Sequence, residues 1–365
     1  VNFDLSEDQE LLKAVAERFV TDRYDPERRR SYLAAPEGFS AANWAHLGEL
    51  GLIAAAFRED SGGMAATDAD LAIIFEVLGR GGVVEPLAEA AVLAGGLFEA
   101  TAPAALKAQW LDGLVSGERR LAVAHREAAA RHNFDHVTTS ARASGNGWQL
   151  SGAKSMVPAG YAADAYIVSA RGDTGVGLYL VPADADGLSI TPFRLIDGSV
   201  GCALQLRDVD VPESNALQPG LEALEQAEAR ASIARGAEAL GLMEALFAAT
   251  LDYLKTRKQF GRPLGSFQAL QHRMVVQFGV LEQARSLLQI ATVAANGDPA
   301  ERLRAIAGMR AFIAEASVPL GHEMVQLHGG MGVSDELFIG HFHKRLVMLS
   351  RYPDDAETAL DRYAA

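Results

Sequence analysis

The sequence predicts an α+β protein in three successive zones. These are a helical N-terminal domain, a middle antiparallel β-barrel or sandwich, and a C-terminal four-helix bundle. Three observations carry this. Apolar residues recur at helical spacing up to about Gly117. From Glu118 to about Gly220 they gather into short runs bounded by Gly, Asp or Pro. From Leu221 helical spacing returns, in much longer segments. The expected domains are therefore 1–117, 118–220 and 221–365.

In the first zone, Ser6 followed by Gln9 reads as a capping box, and Leu12, Val15 and Phe19 then share one face. Tyr24 to Gly38 carries charge, Pro26, Pro36 and Gly38, and reads as a connection. Helices are expected from Ser40 to Leu50, Thr67 to Gly79, Pro86 to Ala100 and Ala105 to Val115, with Thr67 as an N-cap. In the middle zone, Leu121–Ala124 begins the strands. Val137–Ala143 and Trp148–Leu150 flank Gly145-Asn146-Gly147 as a hairpin. Ala165–Ala170, Gly177–Val181, Leu188–Phe193 and Cys202–Val211 follow. In the last zone, the long segments are Leu224–Lys258, Phe267–Ala295, Pro299–His328 and Leu337–Tyr363, which suit a bundle. Gly236, Gly241 and nearby Ala and Ser residues let a neighbour approach the first of them.

Composition removes several functions. A formal net charge of −14 without a basic stripe argues against nucleic acid. The single cysteine, Cys202, permits no internal disulfide and fits a reducing compartment. The start, Val1 to Asp8, is acidic and lacks the apolar core of a signal peptide. No apolar run approaches membrane-spanning length, so a cytoplasmic protein without a membrane partner is expected.

Two stretches draw attention. The first is Arg257-Lys258-Gln259-Phe260-Gly261, with Pro263, Leu264, Phe267, Gln268 and Leu270 behind it. The plain reading is a helix C-cap: a basic residue at the negative end of the dipole and Gly261 in a left-handed turn. The second is Gln326-Leu327-His328-Gly329-Gly330-Met331-Gly332. No strand precedes its glycines, so they are not a dinucleotide fingerprint but a helix exit that lets backbone approach a neighbour. His328, His341 and His343 lack a carboxylate or Cys at a spacing that completes a metal site.

Together these stretches resemble the C-terminal signature of the acyl-CoA dehydrogenase family, and the helix–strand–helix order is that family's own. The resemblance implies that both pieces reach across a dimer interface to the adenosine and pyrophosphate end of an FAD. Arg257 would pair with the pyrophosphate, Phe260 would pack near the adenosine, and Gln259 and Gln268 would hydrogen-bond. Leu264 and Leu270 would line the slot beside Phe267, and Gln326, Gly329 and Gly330 match further contact positions. The implied reaction is α,β-dehydrogenation of an acyl-CoA thioester. A carboxylate removes the α-proton, and the β-hydrogen leaves as hydride to the flavin.

Measured against that resemblance, several chemical residues are missing. The family's usual Glu base falls on Pro353, between Tyr352 and Asp354, and its alternative position falls on Ala231. Asp354, Asp355 and Glu357 suit a helix N-terminus, with Asp354 expected to be solvated. The family's Thr-Glu-Pro strand and Gly-Ala-Gly-Ser-Asp turn read here Arg126-Glu127-Ala128-Ala129-Ala130-Arg131-His132-Asn133. Its Trp-Ile-Thr reads Met156-Val157-Pro158, and Pro158 has no N–H or hydroxyl to donate. The reach-across half of the cofactor site is kept and the other half eroded. This pattern resembles the small subunits of heteromeric members, of pimeloyl-CoA or steroid side-chain type. It implies a non-catalytic subunit in an α2β2 assembly, with no catalytic residue of its own and FAD shared at a subunit interface. Its partner would carry the Glu, and electron-transfer flavoprotein would take the electrons. A self-sufficient homotetramer using Asp354 and a scaffold without FAD are the alternatives.

Overall fold

Ser6 starts the first helix by the predicted reciprocal bonds. Its hydroxyl accepts from the Gln9 N–H at 3.2 Å, and the Gln9 side chain accepts from the Ser6 N–H at 3.1 Å. The structure, a computed structural model, describes residues 4–218 and 220–365. Val1–Phe3, the first residues of the Val1–Asp8 start, and Pro219 near the expected domain boundary lie outside the described residues.

The first helices are α1 (Glu7–Arg23), α2 (Pro26–Ala34), α3 (Ala41–Glu49) and α4 (Asp68–Gly81). The second corrects the expected connection at Tyr24–Gly38. Asp25 caps the N–H groups of Glu27 and Arg28 at 2.9 and 2.8 Å, and Pro26 at the first helical position costs no hydrogen bond. Thr67 and Asp70 form a second capping box for α4. The expected helix from Pro86 begins as a π-helix at Ala88–Gly95 and continues as α5 (Gly96–Thr101), before α6 (Ala104–Ser116).

The strands are β1 (Leu121–Ala124), β2 (Ser140–Ser144), β3 (Gly147–Pro158), β4 (Ala165–Gly172), β5 (Gly175–Pro182), β6 (Leu188–Arg194), β7 (Val200–Pro212) and β8 (Ala216–Leu217). They form one sheet in the order β6-β7-β3-β2-β4-β5-β8, with β1 beside β4. Most pairings are antiparallel as expected, but β4 pairs in parallel with β1 and at one position with β2. The hairpin falls where expected, with Gly145 at φ 55° in its turn. Its second strand runs on to Pro158 because β7 supplies a long partner.

The remaining helices are α7 (Leu221–Thr256), α8 (Gln268–Val293), α9 (Pro299–His328), α10 (Phe338–Leu349) and α11 (Ala356–Ala364). Leu337–Tyr363 is thus two helices rather than one. Pro353 cannot donate within a helix and disfavours helical backbone before it, so the chain breaks there.

Contacts divide the chain into two compact units. One comprises Val1–Arg30, Thr67–Val83 and Ser232–Ala365, and is helical. Within it α4 and α7 touch backbone to backbone: a Cβ on Gly241 would lie 2.1 Å from the Glu76 carbonyl oxygen. The other comprises Ser31–Ala66 and Val84–Ala231, and holds the eight-stranded sheet. Its strands bury Leu150, Val157, Tyr166, Val168 and Val209.

Candidate functional site

The helical unit carries both predicted stretches at one end. Helix α7 stops at Thr256, and a two-strand hairpin follows, β9 (Lys258–Gln259) and β10 (Arg262–Pro263). Its two central residues, Phe260 and Gly261, have φ of 53° and 80°. Positive φ at both is the geometry of the tightest hairpin turns. Gly261 adopts it freely, whereas Phe260 adopts it against its side chain. The turn presents Phe260 outward, 89% exposed. Its ring meets Phe267 edge-on at 6.2 Å, and the Arg262 guanidinium lies over the Phe267 ring at 4.0 Å.

Arg257, Gln259 and Gln268 are exposed, while Leu264, Phe267 and Leu270 are half-buried beside them. The second stretch ends α9, where Gly329 turns the chain out with φ 61°. Gln326, Gly329 and Gly330 are exposed, and a Cβ on either glycine would meet nothing within 4 Å. Tyr253, one turn before Arg257, stacks on His328, one residue before Gly329, at 4.6 Å. The two stretches therefore meet through their parent helices. His328 is buried and bonds to the Met324 carbonyl at 2.9 Å, and no group of three or more potential metal ligands occurs among the described residues.

Asp354 corrects an expectation. It is not solvated but buried, and both carboxylate oxygens accept from guanidinium groups. Arg310 Nε reaches Oδ1 at 3.1 Å and Arg362 Nη1 reaches Oδ2 at 2.7 Å. Arg310 also donates to the Asp354 carbonyl. The cap of α11 is Asp355, which accepts from the Thr358 N–H at 2.9 Å. Ala231, the alternative base position, is fully buried on α7.

In the sheet unit, the segment after β1 folds around a buried polar cluster. Glu127 Oε1 accepts from Lys154 Nζ at 2.8 Å and from the Thr139 N–H and hydroxyl at 2.9 and 2.7 Å. Its Oε2 accepts from the N–H and hydroxyl of Thr138. Lys154 also donates to the His125 carbonyl and to Ser169. His125 bonds to Ser169 and to the Phe134 carbonyl, both at 2.9 Å. Burial drives the Lys154 ammonium down to about 8, although Glu127 pulls it back up. Burial, then the Lys154 charge, drives His125 down to about 4. Burial raises the Glu127 carboxyl, but hydrogen bonds from Lys154, Thr138 and Thr139 outweigh it and hold it well below the usual range. Arg131, where the family pattern has Gly, keeps a left-handed backbone with φ 50°. Pro158, beside buried Val157, ends β3.

A separate cleft of about 330 Å³ in the helical unit includes Lys13, Ile73, Glu76, Leu240 and Arg285 in its lining. Arg80 and Arg285 pair there with Glu76 and Glu244, and none of the predicted site residues lines it.

Family models agree with this architecture. The acyl-CoA dehydrogenase N-terminal domain matches residues 6–118, and the acyl-CoA dehydrogenase C-terminal domain matches 220–352. The bovine mitochondrial short-chain specific acyl-CoA dehydrogenase is 30% identical, over 82% of this chain and 76% of that protein. FadE27, an acyl-CoA dehydrogenase of Mycobacterium tuberculosis, is 29% identical over 92% of this chain and 90% of its own length. Among solved structures, a variant of the Tcur3481–Tcur3483 steroid ACAD is 31% identical with a TM-score of 0.90, covering 98% of this chain and 97% of that one. The ChsE4–ChsE5 complex from Mycobacterium tuberculosis is 26% identical with a TM-score of 0.92, covering 100% and 98%. The chain belongs to the acyl-CoA dehydrogenase family of FAD-dependent oxidoreductases.

Proposed function

We propose that this chain is the non-catalytic subunit of a heteromeric acyl-CoA dehydrogenase of α2β2 type, which completes an FAD site seated in its partner. The single observation that carries this is the state of Asp354. It is the carboxylate next in sequence to the usual base position, and both its oxygens are held by Arg310 and Arg362 inside the helical unit. A general base must bring a free lone pair to the substrate α-carbon. Pro353 and Ala231, at the two positions where relatives carry a base, have no titratable group.

The corner of α7, the hairpin and α9 fits the adenosine–pyrophosphate half of FAD. Its donors face outward, Phe260 offers an exposed ring, and Gly329 and Gly330 leave open space. An exposed guanidinium suits phosphate oxygens by a charge-assisted fork. The sheet unit offers a bound flavin less. Pro158 has nothing to donate, and Arg131 and His132 are bulky where close approach needs small residues. When bound, FAD would supply the hydride acceptor, and a Glu of the partner subunit would take the α-proton. The two-component names of the Tcur3481–Tcur3483 and ChsE4–ChsE5 relatives support a heteromer, and the steroid named for the former supports a bulky CoA ester as substrate. A pimeloyl-like dicarboxylic ester is the other candidate. Electron-transfer flavoprotein would be the acceptor and the cytoplasm the location.

Flavin absorbance per chain tests the reading, on this chain co-purified with a second acyl-CoA dehydrogenase that carries the Glu. One FAD per pair of unlike chains is expected, and one FAD on every chain of this subunit would overturn it. Asp354→Asn should leave dehydrogenation per bound flavin within about threefold, as removal of a group outside the reaction does. Loss of activity with flavin and assembly intact would instead make Asp354 a base.

A further inference from the structure

In the β9–β10 hairpin, Gln259 pairs with Arg262 and Lys258 with Pro263. The Leu264 N–H donates to the Arg257 carbonyl at 2.8 Å, which extends the ladder by one pair. Residues paired across antiparallel strands share a face, and successive residues alternate. Arg257, Gln259, Arg262 and Leu264 therefore lie on one face of the ribbon, with Lys258 and Pro263 on the other. Three of those four belong to the cofactor motif. Arg262 does not.

The Arg262 guanidinium carbon lies over the Phe267 ring, 4.0 Å from its centre, and Phe267 meets Phe260 at an interplanar angle of 86°. Stacking engages the π-face of a guanidinium and leaves its in-plane N–H donors available. Those donors have no hydrogen bond or ion pair among the described residues. The ring thus restrains the guanidinium before a ligand arrives. Lys255, Arg257, Lys258 and Arg262 are all exposed within eight residues, in a chain whose net charge is −14. The formal charge of this stretch is opposite in sign to that of the whole chain, which favours an anion there.

We infer that Arg262 is a second phosphate-binding group of this corner, gripping the FAD pyrophosphate beside Arg257 with its orientation preset by Phe267. The inference rests on the proposed reading of the corner as an FAD-holding surface.

The test is FAD titration into the flavin-stripped complex of this chain with its co-expressed partner, followed by flavin fluorescence, with ADP and adenosine as competing probes. Arg262→Gln should raise the Kd of FAD and of ADP about tenfold, the scale of one hydrogen bond to a charged group, and flatten the salt dependence. Adenosine, which lacks phosphate, should compete as before, and the melting temperature should hold. Arg262→Lys should recover little, because an ammonium is not a flat fork. Phe267→Leu, which keeps the charge but removes the stack, should fall between. Wild-type affinity and salt dependence in Arg262→Gln, alongside weakened binding in Arg257→Gln, would overturn the inference and leave the corner reading standing. Wild-type affinity in both variants would remove the corner reading and the inference together.

Discussion

Two polar clusters in this chain have opposite habits. Around Glu127 in the sheet unit, one carboxylate accepts from Lys154, Thr138 and Thr139, and the lysine, fully buried, finds Ser169 and a backbone carbonyl besides. At the corner of the helical unit, Arg257, Gln259, Arg262 and Gln268 stand exposed around an outward-facing phenylalanine. The first cluster completes its hydrogen bonds internally, as a buried network must. The second leaves its donors for something else. Residue type alone would rate both as candidate sites. The destination of the hydrogen bonds separates a cluster that holds a fold from the one proposed above to hold FAD.

The sharpest way to break that contrast is to remove one partner of the buried pair. Lys154→Met leaves Glu127 charged and interior without its cation, which typically costs about 3–5 kcal/mol. Urea unfolding should show this as a lowered midpoint. Adding Glu127→Gln should restore part of the loss, because an unpaired neutral amide is cheaper to bury than a charge. Equal stability in Lys154→Met would mean that the cluster does not hold the sheet unit together.

Acid offers a second, smaller lever. His125 is held down to about 4, against an ordinary value of 6.5. Between those values the unfolded chain takes up a proton that the folded chain refuses, so stability falls as pH drops through that window. The full loss for such a shift is on the order of 3 kcal/mol. Glu127 adds nothing to the upper part of the window, since its stabilisation begins to fade only as pH falls through the ordinary carboxylate range. Denaturation midpoints at pH 6.5 and 4.5 should differ, and His125→Gln should flatten the difference. His125 and Glu127 belong to the sheet unit and the corner to the helical unit, so the corner's affinity for ADP should not follow this curve.

The sequence disclosed these two regions unequally, for a physical reason. The corner is built from near neighbours: a helix stop, a two-residue turn and the next helix start. Its left-handed Gly261 is therefore legible in place, as are the capping box at Ser6 and the N-cap at Thr67. The buried cluster joins residues 27 apart, and the anchor of Asp354 joins it to Arg310 from 44 residues away. Nothing local marks Asp354 as buried, and beside Asp355 and Glu357 it reads as one more solvated acid. Local spacing shows only the start of strand β3 for the same reason, since its length is set by its pairing with the distant β7. The helix at Pro26 is hidden differently: its cap, Asp25, is present, but the prolines and charges around it suggest a loop. Arg262 has no local signal because its significance lies in register, which appears only once Gln259 is placed opposite.

The smallest expected effect is the most diagnostic of the contrast. Phe260 is a large apolar side chain with almost no cover and a left-handed backbone. Its own chain gains little from it, and left-handed backbone disfavours it by roughly 1 kcal/mol relative to a residue such as Asn that tolerates the conformation. Phe260→Asn should therefore leave the isolated chain as stable as before or slightly more stable, within about 0.5 kcal/mol, as for most exposed sites. The same substitution should weaken FAD retention in the assembled complex, where the ring has something to cover. A clear loss of stability in the isolated chain, read from its melting temperature, would show that Phe260 packs within its own subunit. The corner would then belong with the Glu127 cluster, as structure rather than reach.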